Sequence, residues 1–143
     1  VAHANPMLRE RVFTYLGDQP RVRIIGPLDY PAFIAQLRSA SLVLSDSGGV
    51  QEEAPVFGAP VLVLRESTER MEAVEAGVAR LVGVDPQAIV SETVRLMTDE
   101  TQRMEMVRAV SPFGDGQASG RIAHILETVL IPARDDRQIQ AAV

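Results

Sequence analysis

Short apolar runs alternate with stretches of helical periodicity along the chain. Short, mostly apolar runs predict strands at residues 21–25, 42–44, 60–64 and 80–82. Apolar residues at three- and four-residue spacing predict helices over residues 6–16, 30–40, 50–57, 71–76, 86–97, 100–110 and 117–130. Since strands and helices alternate and the strands are mostly apolar, the pattern predicts an α/β fold. Its sheet should be parallel, doubly wound and covered by helices on both faces.

Polar caps and glycines mark the ends of several predicted helices. Asn5 and Asp85 each precede a proline, the pattern of an N-cap followed by the first helical residue. Glycines end three of the helices: Gly17, Gly58 and Gly77. Two helices carry an apolar stripe that we expect to be buried: Ile89, Val90, Val94 and Met97 in one, and Ile122, Ile125, Leu126 and Val129 in the other.

Composition narrows the class of protein. The 143 residues suit one domain, predicted over residues 1–130, followed by a loose polar tail over residues 131–143. The chain has no cysteine, which excludes disulfides, thiolate zinc sites and cysteine nucleophiles. Two histidines, His3 and His124, are too few for a multi-histidine metal site, so we expect neither a metal nor a cofactor.

Charge and hydropathy set the expected surroundings of the protein. Fourteen Lys and Arg against 19 Asp and Glu give a net charge of −5, which argues against a nucleic-acid partner. No apolar run approaches the roughly 18 residues of a membrane span. No basic residue leads an apolar stretch at the start, as it would in a secretory signal. We therefore expect a cytoplasmic protein without membrane contact.

The sharpest chemical feature lies where the strand at residues 42–44 passes into the next helix. Ser47, Gly48 and Gly49 follow the strand's carboxyl end, the edge at which open parallel sheets bind ligands. Glycines let the backbone approach a phosphate, and free amides at a helix start attract anions. The turn is therefore either a phosphate-binding site or a tight turn capped by Asp46 or Ser47. The sequence contains neither a Walker loop nor a GxGxxG fingerprint here that would decide between the two.

Charged residues near this turn are candidates for further contacts with a phosphate-containing ligand. Glu52 and Glu53 stand in the first turns of the helix, where either carboxylate is placed to accept hydrogen bonds from a ribose diol or simply complements the helix dipole. Arg65 and Arg70 follow the strand at residues 60–64, and a guanidinium binds phosphate in bidentate fashion. The alternative for both arginines is a solvated loop.

Aromatic and histidine side chains leave further alternatives open. Phe33 is expected either in the core or stacked on a nucleobase. His3 is either a ligand contact or a surface residue. His124 is expected on a helix surface.

Several motifs together resemble the non-hydrolysing UDP-N-acetylglucosamine 2-epimerases. The most extended are DSGGVQEEAP at residues 46–55, G-x-P-V-L-V-x-R at residues 58–65 and TER at residues 68–70. Shorter ones are H-x-N-P at residues 3–6, AG at 76–77, LVG at 81–83 and PFGDGQA at 112–118. The resemblance runs in order over about residues 1–130.

The resemblance implies a fold and an activity. Family members have two Rossmann-like domains around a cleft, a glycosyltransferase-B-like architecture, and this chain is similar to the carboxyl-terminal half. They are isomerases that interconvert UDP-GlcNAc and UDP-ManNAc by eliminating and re-adding UDP, for polysaccharide biosynthesis. Members are commonly homodimers, so a homodimer is expected here.

The resemblance also implies roles for residues. By analogy Ser47, Gly48 and Gly49 bind the pyrophosphate, and Glu53 holds the ribose hydroxyls. The other implied UDP contacts are Phe33 and the backbone near Leu28 beside the uracil, and Arg70 at the phosphate–sugar end. His3 matches the histidine of the H-x-N-P motif and is a candidate regulatory residue.

Departures from the family pattern limit what this chain is expected to do. Leu28 stands where some members have Gln, and Met71 where Pro is common. The family's acid–base carboxylates, an essential His, and the first strand and helix of the nucleotide domain have no counterpart in these residues. We therefore expect an inactive fragment that needs the amino-terminal domain as partner. Alternatives are the nucleotide half of a UDP-sugar glycosyltransferase or hydrolysing epimerase, and a non-catalytic nucleotide-binding domain.

Overall fold

A computed structural model describes residues 1–2 and 4–130 of the chain. Within these residues, three short strands are interspersed with seven α-helices and one 3₁₀ helix. The elements are α1 (Pro6–Leu16), α2 (Tyr30–Ser39), β1 (Val43–Ser45), α3 (Gly48–Glu53), the 3₁₀ helix (Ala54–Phe57), β2 (Val61–Val63), α4 (Met71–Glu75), β3 (Ala79–Leu81), α5 (Pro86–Thr98), α6 (Glu100–Arg108) and α7 (Ala118–Leu130). His3 and the tail at residues 131–143 lie outside the described residues, so the predictions made for them stay predictions.

The strands form a parallel sheet in the order β1-β2-β3. Leu62, at the centre of β2, is paired with Leu44 on one side and with Arg80 on the other. The predicted α/β class with a parallel sheet is confirmed. All three residues of the central strand are buried.

Alternating side chains of β2 supply a core on each face of the sheet. Val61 and Val63 pack with a cluster that includes Leu37 of α2 and Ala73 of α4. Leu62 points to the opposite face, where its cluster contains Leu96 of α5 and Met106 of α6. Helices therefore cover both faces, as predicted for a doubly wound sheet.

The predicted helix starts at Asn5 and Asp85 are confirmed. The Asn5 side chain accepts a hydrogen bond from the Met7 amide at 2.9 Å, and Asp85 accepts from the Ala88 amide at 2.8 Å. Gly58 ends the 3₁₀ helix in the left-handed region with φ of 74°, a conformation that favours glycine. These local signals act through neighbouring residues, so the sequence is sufficient to predict them.

The prediction of a strand at residues 21–25 is wrong. This segment has no regular secondary structure, and the Ala2 amide donates a hydrogen bond to the Ile25 carbonyl at 2.7 Å. A strand needs a repeated ladder of such bonds, which an apolar run alone does not provide. The predicted helix over residues 50–57 begins earlier, at Gly48, and becomes 3₁₀ after Glu53, where Pro55 cannot donate an α-helical bond.

The buried faces predicted for α5 and α7 are also wrong. On α5, Leu96 is fully buried, whereas Val90, Val94 and Met97 are more than half exposed. The sheet lies against the side of α5 that carries Leu96, and periodicity alone does not locate it. On α7 no residue is buried, and its stripe is exposed: Ile122, Ile125, Leu126 and Val129. Within the described residues no helix has both the length and the apolar character to cross a membrane.

Candidate nucleotide-binding site

The Ser-Gly-Gly turn joins β1 to α3. Ser47 is the N-cap of α3 with φ −80° and ψ 129°, and its side chain makes no capping hydrogen bond. The Ser47 amide is instead held by Ser45 Oγ at 3.1 Å. The Ser47 hydroxyl is exposed together with Gly49, while Gly48 is half-buried. A polar turn with open backbone amides therefore faces out from the carboxyl end of β1.

Arg70 lies directly against Gly48. A Cβ atom placed on Gly48 would be 3.8 Å from Cζ and Nη2 of Arg70 and 3.1 Å from Glu69 Oε1. The guanidinium is paired through Nε with Glu52 of α3 and through Nη1 with Glu69 at 3.4 Å. Its hydrogen bond to Glu52 raises the pKa of Arg70, which keeps the group charged. Two residues predicted to bind phosphate are thus neighbours, although they are 22 positions apart in the chain.

Arg65 is paired within its own loop. Its Nη1 lies 3.0 Å from Glu69 Oε2. The pKa of Glu69 is lowered, first by a hydrogen bond from its own backbone amide and then by the charge of Arg65. Glu69 is consequently a carboxylate at neutral pH, and it stands between the two arginines beside the Gly48 backbone.

Glu53 contacts α2 rather than the loop after β2. Tyr30 Oη lies 3.3 Å from Glu53 Oε1 and donates a hydrogen bond to it. The negative charge of Glu53 raises the pKa of Tyr30, with burial and the hydrogen bond as smaller causes. Tyr30 was not among the predicted site residues. Its place at the start of α2, three residues before Phe33, was the one available signal.

Three predicted site residues line one groove of about 800 Å³: Leu28, Phe33 and Ser47. The groove runs between the paired Ala2 and Ile25 segment and the open edge of β1. Phe33 packs against the core cluster and also lines the groove, and its stacking on a nucleobase stays a prediction. Gly48, Gly49, Glu53 and Arg70 are not among the described lining residues. The two glycines follow Ser47 at the start of α3, Glu53 ends that helix, and Arg70 precedes α4.

A buried polar pair connects the turn to the Arg70 loop. Gln51 is fully buried, and its Oε1 accepts a hydrogen bond from Thr68 Oγ1 at 2.6 Å. Its Nε2 donates to the Ser47 carbonyl at 3.2 Å. Neither residue is predicted as a site residue from the sequence, because a glutamine and a threonine inside longer motifs give no sign that they meet.

The described residues hold no metal cluster. Nowhere in residues 1–2 and 4–130 do three His, Asp or Glu side chains converge as ligands. His124 is exposed on α7, as predicted.

Known proteins are similar to this chain over most of its length. The family model described as UDP-N-acetylglucosamine 2-epimerase matches residues 1–127. UDP-N-acetylglucosamine 2-epimerase of Escherichia coli strain K12 is 51% identical over 125 residues, which are 87% of this chain and 33% of that protein. The chain thus spans about a third of the length of the curated relatives it matches.

Solved structures agree with this similarity. The S. aureus MnaA structure with UDP has a TM-score of 0.83 and 44% identity, over 87% of this chain and 34% of that one. UDP-GlcNAc 2-epimerase from Neisseria meningitidis bound to UDP-GlcNAc has a TM-score of 0.82 and 40% identity, over 87% of this chain and 33% of that one.

Proposed function

The chain belongs to the UDP-N-acetylglucosamine 2-epimerase family, and from that premise we propose that it supplies the UDP-binding part of such an enzyme. The observation that carries the proposal is the position of the Arg70 guanidinium at the turn after β1, where a Cβ atom placed on Gly48 would lie 3.8 Å from its Cζ and Nη2. A guanidinium and open backbone amides at one point form a receptor for a diphosphate.

The proposed roles follow the positions of the side chains. The Ser47 hydroxyl and the Gly48 and Gly49 amides receive the diphosphate together with Arg70. Phe33 and the backbone at Leu28 flank the uracil in the groove. Glu53 accepts hydrogen bonds from the ribose diol, exchanging its bond from Tyr30 for the ligand's hydroxyls.

The same groups suit the family's reaction. Elimination of UDP from UDP-GlcNAc places negative charge on the leaving diphosphate, and re-addition to the other face of the sugar gives UDP-ManNAc. Preorganised amides and a guanidinium stabilise that charge as it develops. General acid–base groups for the sugar are proposed to come from the amino-terminal domain of a whole enzyme, so this chain alone turns over nothing. The predicted homodimer, the regulatory role of His3 and the cytoplasmic location stay predictions.

UDP binding to the 143-residue chain, measured by calorimetry, tests the proposal. We expect UDP to bind, and Ser47→Ala and Glu53→Ala each to weaken it about five- to tenfold, the loss of roughly one hydrogen bond. Glu53→Ala should also abolish the preference for UDP over 2′-deoxy-UDP, because the ribose contact is removed. Glu127→Ala on exposed α7 is the control. A folded wild-type chain that binds no UDP contradicts the proposal.

Product analysis tests the activity separately. The chain incubated with UDP-GlcNAc should release no UDP-ManNAc and no free ManNAc, and stoichiometric conversion contradicts the proposed inactivity. Family membership favours epimerisation over the glycosyltransferase alternative. When an amino-terminal domain from a relative is supplied, UDP-ManNAc indicates the epimerase, free ManNAc the hydrolysing enzyme, and no product the non-catalytic alternative.

A further inference from the structure

We propose that Gln51 and Thr68 are positioning residues for nucleotide binding. They form a buried link that fixes Arg70 against the Ser-Gly-Gly turn. The proposal rests on the proposed function, since it concerns how the same diphosphate receptor is held together.

The link is a continuous series of hydrogen bonds. Gln51 Nε2 donates to the Ser47 carbonyl at 3.2 Å, and Thr68 Oγ1 donates to Gln51 Oε1 at 2.6 Å. The Arg70 amide then donates to Thr68 Oγ1 at 3.1 Å. The series therefore runs from the residue before the two glycines to the backbone of the arginine that faces them.

The donors and acceptors available on the two side chains fix the direction of each hydrogen bond. The threonine hydroxyl has one proton, which goes to Gln51, so a lone pair remains for the Arg70 amide. The glutamine amide must then present its NH₂ group to Ser47. Each group has one arrangement that satisfies its neighbours. The link therefore fixes the Ser47 carbonyl and the Arg70 backbone relative to each other.

Burial makes the link rigid. Gln51 is fully buried and Thr68 is 9% exposed, so water does not compete for these bonds. An apolar side chain would fill the same space at lower cost of desolvation. The polar pair is therefore better explained by the positions it imposes than by packing.

The position matters because Arg70 has competing partners. Its guanidinium is shared between Glu52 and Glu69, two carboxylates that lie on different elements. Without a fixed backbone at residue 70, these ion pairs alone would set where the guanidinium lies. A displacement of about 1 Å is enough to lose much of a geometry-dependent interaction with an anion.

A set of matched variants tests the link, with UDP affinity and melting temperature measured on each variant of the 143-residue chain. Thr68→Val should weaken UDP binding about five- to tenfold, whereas Thr68→Ser, which keeps the hydroxyl, should bind within about twofold of wild type. Gln51→Met should resemble Thr68→Val. Both single apolar variants should also melt earlier, because each leaves a buried partner without its hydrogen bond.

The double variant separates the effect of the link on UDP affinity from its effect on stability. Gln51→Met with Thr68→Val removes both polar partners, so its melting temperature should recover towards wild type. Its UDP affinity should stay low, because the link is still absent. If affinity recovers together with stability, the pair is merely structural and the proposal is overturned. This variant also carries the test if a single variant does not fold.

Coupling to Arg70 gives the second readout. Arg70→Ala should cost much less UDP affinity in the Thr68→Val background than in wild type, since the arginine is already displaced. Equal losses in both backgrounds overturn the proposal. If the folded wild-type chain binds no UDP, the proposed function itself fails; if wild type binds and the variants bind equally well, only the positioning role fails.

Discussion

At the scale of single residues, the contact between Tyr30 and Glu53 gives an optical test of the site's electrostatics. The chain has two tyrosines and no tryptophan, so Tyr15→Phe leaves Tyr30 as the one source of tyrosinate absorbance. Glu53 raises the pKa of Tyr30 above the ordinary 10.0, because a nearby negative charge opposes a second one.

We expect Glu53→Gln to lower the pKa of Tyr30 towards 10.0 in a spectrophotometric titration of the Tyr15→Phe chain. The sign follows from removing the repelling charge while keeping the shape of the side chain. Glu127→Gln on α7 serves as the control and should leave the titration unchanged. A Tyr30 titration that does not respond to Glu53→Gln would mean that the contact is absent in solution.

At the scale of elements, α5 carries two adjacent residues with opposite surroundings. Leu96 is fully buried against Leu62 and Met106, whereas Met97 is 58% exposed. Leu96→Ala should lower the free energy of unfolding by about 2–5 kcal/mol, because it leaves a cavity between the helices and the sheet. Met97→Ala should change it by less than about 0.5 kcal/mol. Urea unfolding measures both, and a large loss for Met97→Ala would indicate that the stripe on α5 is covered.

The junction of α5 and α6 is sensitive to acid. Asp99 follows α5 and caps α6, accepting from the Gln102 amide at 3.0 Å and from Gln102 Nε2 at 2.8 Å. The amide hydrogen bond is the largest cause that lowers the pKa of Asp99 below its ordinary 3.8. Because the folded state favours the carboxylate, its contribution is present above that ordinary pKa and is lost as the pH falls through the lowered value.

Asp99→Ala should lower the melting temperature at pH 7 by a few degrees, whereas Asp99→Asn, which can still cap, should lower it less. Below about pH 4 the Asp99→Ala chain should lose less further stability than wild type, because it has no carboxylate left to protonate. Melting curves at both pH values measure the difference. Parallel pH dependence of wild type and Asp99→Ala would contradict the capping role.

The same elements show how far sequence reasoning reaches. Caps such as Asn5 and Asp85 were predicted because their partners are two or three residues away. The prediction of a strand at residues 21–25 is wrong, since strand formation depends on pairing with a distant segment. The prediction of the buried side of α5 is wrong for a related reason. An amphipathic pattern does not show which part of the apolar stripe packs against the sheet.

The candidate site divides in the same way. The predicted parallel strands imply that the Ser-Gly-Gly turn and the Arg70 loop lie at one edge of the sheet. The closeness of the Arg70 guanidinium to Gly48 agrees with this. The buried meeting of Gln51 and Thr68 depends on how α3 sits against the loop after β2. That placement is a result of packing, which no local motif encodes.

At the scale of the whole molecule, burial is concentrated in the sheet. All three residues of β2 are fully buried, while α1 and α7 contain no buried residue. Regions with few buried contacts open locally at lower free energy. Hydrogen exchange should therefore protect the amides of β2 longest and release those of α1 and α7 first. Equal protection of α7 and β2 would indicate that α7 is covered by another molecule in solution.

The carboxylates around Arg70 also decide how an anion arrives. Glu52 and Glu69 offset the charge of the guanidinium, and the chain as a whole carries −5. At low salt, where screening is weak, a nucleotide therefore meets net repulsion at long range, and attraction begins only near contact. At physiological salt the Debye length falls to about 8 Å, and most of this repulsion is screened. In stopped-flow experiments, added salt should speed UDP association, the reverse of electrostatic steering. The receptor would thus capture its ligand from chance encounters, and cellular ionic strength would act as an accelerator of binding.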